Sequence, residues 1–187
     1  MERIFMRYYN LLLIILGIYT SLLIGQCDSS FIYIEDIPDN VTILDGNNCF
    51  LYSDLNALND VIDNNDLSLL SPLGIGTQTW TEGRLRFFIA GNYYSGGYLS
   101  LTTIPNSFGN LTDLRMLYLN WNNLTSIPES FDQLINLMYL VLSNNQLVTL
   151  FDNIGNLQNL IYLDLGYNQL ESIPESVGQL QSLVYLY

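Results

Sequence analysis

Three stretches of the chain line up without a gap: LTDLRMLYLNWNNLTSIPESFDQ at 111–133, LINLMYLVLSNNQLVTLFDNIGN at 134–156 and LQNLIYLDLGYNQLESIPESVGQ at 157–179. A fourth, LQSLVYLY, runs from Leu180 to Tyr187. Leucine holds one column at Leu114, Leu137, Leu160 and Leu183, and another at Leu117, Leu140, Leu163 and Leu186. Leu119, Leu142 and Leu165 follow two positions later, then Asn122, Asn145 and Asn168, then Leu124, Leu147 and Leu170, and last Ile127, Leu150 and Ile173. The Leu-x-Leu alternation has the period of a strand with its leucines on one side. One such unit has too little core to fold alone, whereas stacked units cover each other's apolar faces.

The fold class this implies is an α/β solenoid whose strands form a parallel sheet along one side. The asparagine column falls where the chain leaves the sheet, and a buried amide there can satisfy backbone groups of its own turn and of the neighbouring one. Pro128 and Pro174 open the far side and are expected at the first position of short helical or 3₁₀ turns, with Glu129 and Glu175 in the first turn. The second unit has LFDN where its neighbours have IPES, so its far side should differ.

These columns resemble the leucine-rich-repeat family, motif LxxLxLxxNxLxxIPxxFxxL, over residues 84–187. The resemblance implies a curved array with a concave sheet that serves as a binding surface for proteins or peptides. Upstream of the regular units, 84–110 reads as an irregular first repeat: Phe87, Ile89 and Asn92 reproduce the strand spacing, and Leu101, Ile104, Pro105 and Phe108 the later half. The surplus residues around YYSGGY form an inserted loop, either a binding element or a tolerated surface excursion. The last unit has a strand but no far side, so its edge is an association hazard and self-association through that end stays open.

Residues 26–83 are expected to cap the first repeat. Leu55, Leu58, Val61 and Ile62 have helical spacing, with Ser53 or Asp54 to start the helix and an Asn-rich end to stop it. Extended segments fit Phe31 to Ile34 and Val41 to Leu44, and Trp80 reads as a core wedge. Asp60, Asp63, Asn64, Asn65 and Asp66 lack the spacing of a calcium loop and read as a polar helix end. Residues 1–25 read as an export signal: Arg3 and Arg7 precede the apolar run LLLIILGIYTSLLIG, which is short for a spanning helix. An uncleaved anchor is the alternative; once the signal is removed, no stable membrane insertion is expected. Export makes a Cys27–Cys49 disulfide plausible, worth roughly 3 kcal/mol on the chain-entropy estimate, against a pair of reduced thiols.

The chain carries 18 acidic residues against 5 Arg plus Lys, a formal net charge of -13, which argues against a nucleic-acid partner. It has no His, so the commonest general base and metal ligand are missing. No catalytic constellation, metal site or cofactor motif emerges, and an enzyme is not expected. In the family's fold the non-leucine strand residues face the ligand. The candidate ligand-binding residues are therefore Met116, Tyr118, Trp121, Tyr139, Tyr162, Asp164, Tyr167 and Tyr185, flanked by Val141, Tyr187, Asn120, Ser143, Gly166 and Asn144. Tyr and Trp are common interface anchors, but cross-strand aromatic ladders also stabilise sheets without any ligand. The expected function is a secreted or cell-surface module recognising a protein or peptide; the alternative is a structural or adhesive surface protein binding polysaccharide. Asn40, Asn110 and Asn123 each begin a glycosylation acceptor triplet.

Overall fold

Alternating apolar residues become strands here because each leucine buries on one side while its neighbours stay half exposed. In Met116–Leu119 (β6) the second and fourth residues are buried and the other two are not. Tyr139–Val141 (β7), Tyr162–Asp164 (β8) and Tyr185–Leu186 (β9) follow in parallel, each advanced by one repeat: Met116, Tyr139, Tyr162 and Tyr185 pair across the sheet. The computed structural model describes residues 27–91 and 99–187. The expected export signal and the inserted loop with Asn92 lie outside the described residues. The fold is a solenoid, with parallel strands from Arg84–Gly91 (β5) to β9 on one side and 3₁₀ turns on the other, as the leucine-rich-repeat resemblance implies.

The core is one continuous column of side chains. Leu114, Leu117, Leu119, Leu137, Leu140, Leu142, Leu160 and Leu163 are all fully buried. On the far side lie 3₁₀ turns at Asn106–Asn110, Glu129–Gln133, Ile154–Asn156 and Glu175–Gln179. The third is the shortest, as the LFDN substitution implied. Pro105, Pro128 and Pro174 stand one residue before their turns rather than at the first position. There the extended backbone of a proline suits the entry into the turn. Phe108 and Phe131 stack at 5.5 Å, and Phe151 continues the ladder at 5.9 Å from Phe131. Phe151 occupies the proline position of its repeat and so supplies the ring that Ile154, in the phenylalanine column, does not.

The asparagine column closes each corner identically. Asn145 Nδ2 donates to the Leu119 and Leu142 carbonyls, both at 2.9 Å, and its Oδ1 accepts from the Leu124 N–H at 3.0 Å. Asn122 makes the same set with Ala90, Leu119 and Leu101, and Asn168 with Leu142, Leu165 and Leu147. Each amide therefore ties its own turn to the preceding one.

The first repeat corrects the expected register. Arg84–Gly91 (β5) pairs with β6 so that Phe88 lies opposite Leu117, while Phe87 lies opposite Met116 and Ile89 opposite Tyr118. Leu85, Phe88, Ala90 and Gly91 are the buried residues; Phe87 and Ile89 are on the outer face. A one-residue slip moves every side chain to the other face of a strand. The Phe88 ring takes the core place, packing 5.9 Å from Phe108.

Upstream, Thr77–Thr81 (β4) pairs antiparallel with β5 through a tight turn at Glu82 and Gly83, both at positive φ, 54° and 70°. That is the geometry a two-residue hairpin favours. A Cβ at Gly83 would meet Phe31 and the Cys49 carbonyl at about 2.5 Å, so glycine is also required by the close approach. Val41–Ile43 (β2) extends the sheet beyond β4, and Phe31–Tyr33 (β1) pairs with Cys49–Leu51 (β3) in a separate ribbon. A Cys27–Cys49 disulfide, with Cα atoms 5.7 Å apart, holds the start of the described chain on β3. Trp80 is buried against Phe50 and donates its indole N–H to Gln78 at 2.9 Å, a core wedge as expected.

The helix Tyr52–Asn64 (α1) buries Leu55, Leu58, Val61 and Ile62. It begins before Ser53, after Leu51, with no side-chain cap. Asp54 does not cap because its carboxylate is turned into the protein, where it accepts from Arg84 Nε and the Leu85 N–H, both at 3.0 Å. Asn65 ends the helix and ties it to the first repeat: its side chain donates to the Thr103 carbonyl and accepts from the Thr102 N–H. The acidic and amide cluster is thus a polar helix end engaged with the array.

Burial pushes the Asp54 carboxyl above the ordinary aspartate value, outweighing its bonds to Arg84 and Leu85, which hold it down. A folded-state value raised above the unfolded one gives a stability contribution that is full below the unfolded value and declines as pH rises through the folded one. The stability advantage of wild type over Asp54→Asn is therefore expected to shrink from acid toward neutral pH in denaturant titrations. An advantage that grows with pH would mean the ion pair, not burial, dominates.

Candidate functional site

The inward faces of the strands are committed to the core, which leaves the outer, concave face of the sheet open. The pairing places Phe87, Met116, Tyr139, Tyr162 and Tyr185 in one row across it. The adjacent row holds Ile89, Tyr118, Val141 and Asp164. Strand spacing of about 4.8 Å brings successive rings within contact. Tyr139 and Tyr162 are stacked with centroids 6.0 Å apart at 28°, and Tyr162 meets Tyr185 at 6.0 Å and Tyr187 at 5.5 Å.

Between these rows lies an open depression of about 360 Å³, lined by Tyr118, Asn120, Tyr139, Val141, Ser143, Tyr162 and Asp164. Of the candidate residues, the structure gathers Tyr118, Tyr139, Tyr162 and Asp164 around it. Met116 and Tyr185 extend the tyrosine row to either side. Trp121 and Tyr167 are not among the lining residues. They sit where the strands end, each directly before a corner asparagine, at φ 58° and 55°. Such a backbone is uncommon for bulky side chains. At Tyr167 it leaves the ring 85% exposed.

Two polar groups in the depression have unspent capacity. Asn120 Oδ1 is buried without a hydrogen-bond partner. Asp164 Oδ1 accepts from the Gly166 N–H at 3.0 Å, one bond for a carboxylate that can take several. Burial pushes the Tyr162 phenol above its ordinary value, and the Asp164 carboxylate pushes it further. Burial likewise raises Tyr118, with Tyr139 adding to it. Both phenols therefore stay neutral donors at physiological pH. Among the described residues, no group of three or more metal-ligating side chains lies together, and no helix is long and apolar enough to cross a membrane.

A family model for the leucine rich repeat matches residues 100–147 and 135–187. Residues 100–187 belong to the leucine-rich-repeat family. Among solved structures, the chain is similar to a leucine-rich-repeat protein of Leptospira interrogans at 43% identity over 48% of this chain, TM-score 0.44. It is also similar to a structure described as a TDR receptor, at 37% identity over 46% of this chain, TM-score 0.44. It spans 24% and 15% of those two chains. No curated protein matches. Leucine-rich repeats are typically binding scaffolds for proteins rather than catalysts.

Phe87 and Ile89 are the concave-face residues that the leucine-rich-repeat spacing missed, because the alternation around FFIA fits either register. Asn120 and Ser143 were visible as flanking positions, and both line the depression. The three acceptor triplets separate in the structure. Asn110 and Asn123 are exposed, whereas Asn40 Nδ2 is occupied by the Leu73 and Gly76 carbonyls at 2.8 and 2.7 Å.

Tyrosinate absorbance reads the electrostatics of this face. The transition absent in Tyr162→Phe is expected above the ordinary tyrosine range. Asp164→Asn should bring the Tyr162 transition part of the way down and no further, because burial is the larger cause. A Tyr162 transition at or below the ordinary range would contradict the site's electrostatics.

Proposed function

We propose that this chain is an extracellular binding module that holds a protein or peptide against its concave repeat face. The single observation that carries the reading is the tyrosine row beside an open, polar-lined depression on the concave face. Rigid aromatic rings offer contact area at low entropy cost and form common interface anchors. In this reading Met116, Tyr118, Tyr139, Tyr162, Asp164 and Tyr185 make the contact, with Trp121 and Tyr167 at its rim. Residues 1–25 serve as an export signal, 26–83 as the N-terminal cap and 84–187 as the recognition array. The Cys27–Cys49 disulfide suits an oxidising compartment, which supports a secreted or cell-surface location. No enzymatic activity, cofactor or nucleic-acid contact is part of this function.

The stacked Tyr139 and Tyr162 rings favour a second reading, a structural or adhesive protein that binds polysaccharide by stacking sugars on them. Self-association belongs to this proposal as well: Val184 and Leu186 are 67% and 48% exposed beside the β9 edge.

Changing Tyr139 and Tyr162 together to Ala is expected to weaken capture of the wild-type partner by tenfold or more, since two anchors are worth about 2 kcal/mol or above. The circular dichroism spectrum should stay native, because both rings lie outside the leucine core. Undiminished capture by the folded double variant would show that the partner does not use this face.

A further inference from the structure

The charges of the described chain are unevenly placed. It has no Lys, and its three Arg all fall between residues 84 and 115. Arg84 pairs with Asp54 and Asp113, and Arg86 with Asp113 and Glu82. Arg115 is exposed at the entrance to β6. No cation lines the concave depression, and its one formal charge is Asp164.

Two acceptors there have capacity to spare. Asn120 Oδ1 is buried without a donor, and buried acceptors in native proteins are rarely left so. Asp164 has lone pairs beyond its bond to Gly166. The rest of the wall is Val141, Ser143 and the Tyr118, Tyr139 and Tyr162 rings, whose π systems attract a cation. An unpaired amide oxygen, one carboxylate and three aromatic rings around about 360 Å³ match a long side chain that brings several N–H donors and one positive charge.

We propose that the depression between β6 and β8 takes an arginine or lysine side chain of the partner, seated on Tyr139 and Tyr162, with its charge on Asp164 and a donor on Asn120 Oδ1. This rests on the concave-face reading above and names the chemistry that face selects. Arginine fits best, because its planar head can stack on a ring while its edge reaches the carboxylate.

Calorimetric titration of the full chain at physiological ionic strength tests it, with hexaarginine, hexacitrulline and maltohexaose as probes. Citrulline keeps the shape of arginine without its charge, and maltohexaose represents sugar stacking. Hexaarginine should bind at least about tenfold more tightly than either neutral probe. Asp164→Asn, which keeps an acceptor for the Gly166 N–H and so the fold, should weaken hexaarginine about tenfold, one lost charge-assisted bond. Glu175→Gln removes the same charge from an exposed turn on the opposite side and should change binding less than about twofold. Equal losses in the two variants would mean diffuse attraction to an acidic chain and overturn the proposal, as would no binding of hexaarginine. Neutral probes binding as tightly as hexaarginine, and released by the Tyr139 and Tyr162 double change, would overturn the cationic preference and leave the concave face standing. Hexaarginine binding that the double change does not touch would remove the concave face itself.

Discussion

A chain that turns away from a parallel sheet every 23 residues must leave carbonyl and amide groups at each corner where no strand can pair them. The corner asparagine is the group that answers this constraint. Its Nδ2 donates to one carbonyl in its own turn and one in the preceding turn, and its Oδ1 accepts an amide from the preceding turn. Asn122, Asn145 and Asn168 repeat the arrangement. Burying those backbone groups unpaired would cost about 1–3 kcal/mol each, enough to forbid the stack. With the corners satisfied, the leucine columns can superimpose at strand spacing, and the Phe108, Phe131 and Phe151 ladder can fill the far side.

Function follows from what this arrangement leaves over. Leucine side chains consume the inner side of β6, β7 and β8, and the 3₁₀ turns close the back. The outer side chains of the sheet then owe little to the fold and are free to differ from repeat to repeat: Met116 against Tyr139, Val141 against Asp164. The N-terminal end is held otherwise. Asp54, Arg84, Asp113 and Arg86 form a charged chain that joins α1 to the first strands, and Asn65 clamps the helix end to Thr102 and Thr103. This junction uses two of the three arginines of the described residues, so the concave face beyond it carries tyrosine and acid.

The repeat and its concave rows were legible in the sequence because their chemistry recurs: leucine and asparagine columns in register leave one way to stack. The first strand was not. In RLRFFIAG, Phe87 and Ile89 alternate as well as Phe88 and Ala90 do, and periodicity alone cannot choose between them. Packing decides, since only Phe88 places its ring against Phe108. β4 went unrecognised although TQTWT alternates and Glu82-Gly83 follows, a hairpin signal. The start of α1 was misplaced because Asp54 has the chemistry of a cap but spends it on Arg84 and Leu85, a partner 31 residues away that local rules do not see. The depression was legible only in part: the tyrosines and Asp164 were visible as columns, while the buried, unpartnered Asn120 oxygen needed three dimensions.

The most direct test of the corner constraint is to unfold Asn145→Ala and Asn168→Ala in denaturant while following amide exchange at Leu124. Asn145 is 7% exposed and Asn168 half-buried. Asn145→Ala should therefore lose about 2–4 kcal/mol and Asn168→Ala less, with the Leu124 amide exchanging faster only in the former. An Asn145→Ala protein within about 0.5 kcal/mol of wild type, its Leu124 amide still protected, would mean that the leucine columns hold the stack without the asparagine ladder.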